Sequence, residues 1–112
     1  MYYHAHVYWS TPEQRDIALK LRNNLAETSA GLGRVWDKPI GPHPLPMYQV
    51  NYCDDIKDAV ENLLNNKNLT VLLHEDTGDD LRDHTEGTRW IGSELRLNLA
   101  WLEKYVNSLH SK

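Results

Sequence analysis

The sequence has one cysteine, Cys53. A lone thiol excludes an intramolecular disulfide and a cysteine-rich zinc site, and it fits a reducing compartment. Nothing adjacent would depress its pKa, so it is expected to serve packing. Basic residues are also few: 12 Lys and Arg stand against 16 Asp and Glu, a net charge of −4. A nucleic-acid binder would carry a basic face, so no nucleic-acid partner is expected. No apolar run approaches the ~20 residues that cross a bilayer, so no membrane partner is expected. The chain does not open on a basic segment followed by an apolar stretch, as a secretory signal would, and the cytoplasm is the expected location. Linkers, repeats and low-complexity tracts are missing too. Gly31 and Gly33 lack the rest of a dinucleotide-binding fingerprint.

What is present is an ordinary globular composition, 40% apolar and 25% charged. At 112 residues it makes one domain over 1–112, large enough for a core. Six histidines stand out, two of them in "YYHAHVYW" at 2–9. That stretch reads as a strand, with Tyr3, Ala5, Val7 and Trp9 alternating with His4, His6 and Tyr8. A helix follows in "STPEQRDIALKLRNNLAE". Thr11 caps it, Pro12 suits its first position, Gln14 completes a capping box, and Ile17, Leu21 and Leu25 form its buried stripe. "AGLG" at 30–33 stops it. "RVW" at 34–36 reads as a short second strand, and the proline-rich "DKPIGPHPLP" as neither helix nor paired strand. "MYQVNY" is a third strand. Asp54 or Asp55 caps a second helix with Ile56, Val60, Leu63 and Leu64 inward, ended by "NNKN". "LTVLLH" is a fourth strand, "EDTGDDLRDHTEG" a polar loop, and "RWIGSELRL" extended. "NLAWLEKYVNSL" is helical, with Leu99, Leu102, Val106 and Leu109 on one side.

This order, β-α-β-β-α-β plus a C-terminal extension, is that of the α+β ferredoxin-like split βαβ arrangement, an antiparallel sheet with helices on one face. In it the first strand is central and antiparallel to the fourth. His4 then lies beside His74, and alternation puts His4 and His6 together on the face without helices, with Gln49 of the third strand. His43 and His84 ride on loops that could reach them. His110, near the C-terminus, is given no role. The face left open and the surplus of aromatics lead us to expect a two-fold homodimer whose partner or C-terminal segment walls the site. Trp36, Trp90 and Trp101 suit a core or an interface.

Imidazole clusters suit zinc, iron, copper or nickel. Two histidines with a carboxylate mark a non-haem Fe(II) oxygenase, and three histidines with an open position suit a zinc-dependent hydrolase. A dimeric metal-binding protein without turnover is the third possibility.

"YHAHVYW", "GPHPLPMYQV" and "LTVLLHEDTGDDLRDHTEGTRWIG" resemble the DOPA 4,5-dioxygenase family of bacteria and fungi, over residues 3 to about 97. The resemblance implies a small, often dimeric ferredoxin-like enzyme. Its implied activity is extradiol cleavage of a catechol such as L-DOPA by O2 at a histidine-ligated Fe(II). The family's histidines are kept at His4, His6, His43, His74 and His84. The chain departs at Glu75, where proline is common, and in a longer helical tail after Leu97. On this resemblance His6 and His74 are the first metal ligands and His4 the next. His43 and His84 act as acid/base or substrate-orienting groups, served by imidazole's ordinary pKa of ~6.5. Gln49, Tyr8, Asp83 and Trp90 are candidate substrate contacts. A carboxylate ligand could come from Asp79, Asp80, Asp83 or Glu86, or the site could use three histidines. Protein purified in air is expected to carry zinc or nickel, because Fe(II) binds more weakly than either.

Overall fold

A computed structural model describes residues 1–66 and 68–110. Lys67, one of the residues expected to end the second helix, lies outside them. The elements are β1 (Tyr2–Tyr8), α1 (Pro12–Leu25), β2 (Gly31–Leu32), β3 (Met47–Cys53), α2 (Lys57–Leu64, entered through a 3-10 turn), β4 (Thr70–Glu75), α3 (Asp80–Asp83), β5 (Thr88–Ile91) and α4 (Leu99–His110). The sheet order is β2-β3-β1-β4-β5, with every pairing antiparallel. The first four strands follow the expected split βαβ order, and β5 extends the sheet beyond β4.

The sheet has two chemically different faces. Ala5, Val7, Tyr48, Val50, Val71 and Leu73 turn toward α1 and α2 and form the main core with Ala18, Leu21, Leu25, Val60 and Leu64. Helix α1 starts as its sequence requires. The Thr11 hydroxyl accepts from the Gln14 N–H at 3.1 Å, and the Gln14 side chain accepts from the Ser10 N–H at 2.8 Å, one residue earlier than in the usual box.

The second face is not left open, as expected from the helix count. Tyr8, Met47 and Leu72 pack there under Trp36, Ile40, Leu45, Trp90, Leu95 and Leu97. Two irregular segments of the same chain therefore cover it, tied together by the Asn98 N–H donating to the Pro42 carbonyl at 2.8 Å. The expected homodimer loses that part of its motivation. Most of the exposed large apolar side chains lie instead on α4, where Trp101 and Tyr105 stack at 5.4 Å, with Met1 and Tyr2 the others. Leu102 is buried there but Leu99 and Leu109 are exposed, so the expected common inner stripe of α4 is only half formed.

Two local expectations change. The second strand is Gly31–Leu32, not 34–36, because the glycine-flanked helix stop itself enters the sheet. The Gly33 N–H still bonds the Gln49 carbonyl at 2.7 Å, and a Cβ at Gly33 would stand 3.3 Å from Gln49. Trp36 makes only an isolated bridge to Met47. The polar loop after β4 holds one helical turn, α3, because the Asp79 carboxylate caps it by accepting from the Arg82 N–H at 3.1 Å.

Candidate metal centre and adjoining groove

In the β1–β4 ladder His4 lies directly opposite His74, and in the β1–β3 ladder His6 lies opposite Gln49. Directly opposed residues share a face. The ladder therefore brings His4, His6 and His74 together. Two further imidazoles arrive from outside the sheet: His43 from the proline-rich segment and His84 from the end of α3. The His6 and His43 rings are 4.2 Å apart, and the His74 and His84 rings 4.3 Å. One ligand atom each from His4, His6 and His74 lies within 4.8 Å of the others, as does one each from His6, His43 and His84. His6 belongs to both groups. Five of the six histidines thus converge; the sixth, His110, has no described side chain.

The hydrogen bonds fix most of the tautomers. A carbonyl only accepts, so His74 donates from Nδ1 to the Glu75 carbonyl (2.8 Å) and His84 from Nδ1 to the Asp80 carbonyl (2.7 Å). The neutral His74 ring then carries a lone pair on Nε2. The His74 Nε2 stands 2.9 Å from the His6 Nε2. The His6 Nδ1 is buried with no hydrogen-bond partner among the described residues. His43 shares its Nδ1 with the Tyr8 hydroxyl at 2.7 Å. Burial pushes the Tyr8 phenol up, so it stays protonated and is the natural donor.

Burial disfavours charge on four of the five rings. Burial, then repulsion from the neighbouring rings, holds His6 well below the ordinary imidazole value. The same causes lower His43 to about 3. Burial lowers His74 to about 4 against the pull of its backbone bond. His4 is lowered by burial despite Asp76 beside it. The ordinary value near 6.5 expected from sequence does not apply to these four.

The other candidates are placed differently. Tyr8 is buried and touches His43, so it acts on the histidine and not on the groove. The Gln49 amide shares the histidine face but donates to Asn51 Oδ1 at 2.7 Å. Asp83, only 1% exposed, accepts from the Thr77 N–H at 2.8 Å and the Thr77 hydroxyl at 2.7 Å, which fastens the loop before α3. Trp90 stacks on Tyr8 and lines a groove of about 950 Å3. His43 and His84 line that groove together with the segment 94–98. Such a volume suits a small aromatic molecule.

Among the described residues no carboxylate joins either histidine group. The carboxylate nearest the cluster that sequence reading passed over is Asp76, whose Oδ2 lies 3.2 Å from the His4 Nε2. Strand alternation carried two residues past His74 would have found it.

The sequence profile described as the Dopa 4,5-dioxygenase family matches residues 3–101. The chain is 34% identical over 109 residues to the DOPA 4,5-dioxygenase of Amanita muscaria, covering 88% of this chain and 48% of that protein. It is 29% identical over 113 residues to an uncharacterized 21.2 kDa protein of Botryotinia fuckeliana, covering 90% and 62%. The chain thus spans about half the length of the first relative and less than two thirds of the second. Its fold is similar to the crystal structure of a presumed dioxygenase from Nostoc punctiforme. The TM-score is 0.86 at 39% identity, over 93% of this chain and 92% of that one.

Proposed function

Because the chain belongs to the Dopa 4,5-dioxygenase family, we propose that it holds Fe(II) in the histidine cluster and cleaves a catechol such as L-DOPA, bound in the groove, outside its two hydroxyls. The observation that carries this reading is the approach of the His6 and His74 Nε2 atoms within a group of converging histidines. The His74 ring, whose Nδ1 proton is held by the Glu75 carbonyl, turns its Nε2 lone pair toward the His6 Nε2. Imidazole nitrogens that face one another in a buried cluster suit a shared cation. Two nitrogens bound to one ion at about 2.1 Å lie no more than about 4.2 Å apart, and the His6–His74 separation of 2.9 Å meets that limit.

His6 and His74 would hold the ion, with His4 next. Fe(II) would supply an electron route between the catechol and O2. The chain's own residues do the rest. The carbonyls of Glu75 and Asp80 fix the rings of His74 and His84, as outer partners commonly do for histidine ligands. With its Nδ1 bonded to the Asp80 carbonyl, His84 leaves Nε2 to exchange a proton with a catechol hydroxyl. Tyr8 donates to the His43 Nδ1, which leaves the proton of His43 on Nε2, available to an oxygen of the substrate. Trp90 and the apolar groove wall receive the ring and displace water. In this reaction one ring C–C bond breaks, both oxygen atoms end in the product, and no outside reductant is consumed.

The test is O2 consumption by protein loaded anaerobically with Fe(II), across a small panel of catechols. We expect stoichiometric uptake with a ring-opened product. Tight iron binding without catechol-dependent uptake would overturn the assignment in favour of a metal-binding protein without turnover. Activity that persists without O2 would favour a hydrolase.

A further inference from the structure

Among the described residues, two charged side chains besides the histidines line the groove, Glu94 and Arg96. They stand two residues apart on the irregular segment between β5 and α4. Along that segment Glu94, Arg96 and Asn98 are exposed while Leu95 and Leu97 are half-buried, packed into the second core. That alternation is the signature of extended chain, and it sets Glu94 and Arg96 on one side about 6.6 Å apart along the backbone.

Neither side chain has an ion pair or a hydrogen bond among the described residues. For Arg96 this is unusual in this molecule. Arg15 grips Asp37, Arg22 the Gly33 carbonyl, Arg82 the Asp83 carboxylate and Arg89 the Glu61 carboxylate, while Arg34 lies over Trp36. Among the described residues Arg96 is the one arginine that lines the groove, and no hydrogen bond uses its planar donor set. In a chain of net charge −4, one free guanidinium at a groove rim is a local site for an anion.

We propose that Arg96 and Glu94 read the side arm of the bound catechol, Arg96 taking a carboxylate and Glu94 an ammonium. This rests on the reading of the groove as a catechol site and names the residues that set its selectivity. The ring would lie toward His43 and His84, and the arm would run to the rim. An ammonium and a carboxylate on one carbon are close enough to fit between two opposite charges at that spacing. An arm with both charges is then favoured over an arm with one, and one over none. Both residues are exposed, so the preference is modest and weakens with salt.

The experiment is calorimetric binding without O2, using Fe(II)-loaded protein and four ligands: L-DOPA, 3,4-dihydroxyphenylacetate, dopamine and 4-methylcatechol. O2 uptake is measured in parallel. For Arg96→Gln the affinity ratio of 3,4-dihydroxyphenylacetate to 4-methylcatechol should fall about fivefold, the upper range for an exposed pair. Glu94→Gln should lower the dopamine ratio similarly, and Arg96→Lys should restore much of the first. Circular dichroism controls for folding. Unchanged ratios in folded variants overturn the assignment, and they do so even if the parent turns over all four catechols. Ratios that shift as stated while the parent consumes no O2 leave the arm reader standing and remove the dioxygenase reading. Failure of all four ligands to bind the parent removes both.

Discussion

Tyr8→Phe isolates one hydrogen bond from everything else in the site. Among the described residues the hydroxyl has one partner, the His43 Nδ1 at 2.7 Å, and both residues are buried. Phe keeps the ring, its stacking on Trp90 and its place beside Met47 and Leu72. The variant therefore leaves packing intact and strands one buried imidazole nitrogen. An unsatisfied buried acceptor costs about 1–3 kcal/mol. For a domain of this size that lowers Tm by about 4–12 °C, with the lower end applying if water reaches the nitrogen. The functional effect follows from the tautomer. Without the Tyr8 donor, His43 is no longer held with its proton on Nε2, and we expect turnover to fall by about 10–100-fold, as for other lost outer partners. Iron content per chain should not change, because His43 is assigned to proton handling. Differential scanning calorimetry, metal analysis and O2 uptake on one preparation read all three. A Tm equal to the parent's refutes the hydrogen bond. A lowered Tm with full turnover refutes the proton role. Loss of iron would move His43 into the ligand set, with Tyr8 as its acceptor.

Four further outcomes are expected. His6→Ala should lose both iron and turnover, whereas His43→Ala keeps iron and loses turnover by about 10²–10⁴-fold; a folded His6→Ala that binds iron and cleaves catechol would refute the site. Protein purified in air should contain zinc or nickel and gain activity only after anaerobic exchange to iron, and full cleavage by zinc-loaded, iron-free protein would exclude redox chemistry at the cluster. Asp83 is raised by burial but lowered more by the Thr77 N–H, the Thr77 hydroxyl and Arg82, so its folded pKa lies below the unfolded one. Its stabilisation is complete above the unfolded value of about 4 and is lost as pH falls through the folded value, so the Tm gap between parent and Asp83→Asn should narrow on acidification below about pH 4. A homodimer joined through the exposed Trp101 and Tyr105 of α4 is expected, and a monomer mass by light scattering at micromolar concentration would exclude it.

The legible part of the fold was the part written in period-two patterns. In β1 the alternation of Ala5 and Val7 with His4 and His6 gave both the core and the ligand face, and strand order alone then set His4 beside His74. Short and irregular pieces were not legible in the same way. A two-residue strand at Gly31–Leu32 has no period to detect, and the helical turn at Asp80–Asp83 is specified by one cap and not by a pattern. The site divides similarly. Tyr8 and His43 are 35 residues apart, and their bond depends on how the proline-rich segment returns to the sheet. Asp76 was within reach of alternation, but the acidic residues around it offered too many carboxylates of the same kind. The cover of the second face was missed because Leu95 and Leu97 are apolar at a strand's spacing yet pair with no strand.

The five histidines also differ in what anchors them. His4, His6 and His74 sit on β1 and β4, interior strands bonded on both sides, whereas His43 and His84 sit on a loop and at the end of a single helical turn. Amides of interior strands exchange with solvent only on global opening, while loops and short turns open at far lower free energy. One half of the cluster should therefore stay assembled while the other half breathes. Molecules can then enter and leave past His43 and His84 on the timescale of loop motion without the sheet ever letting go of an ion.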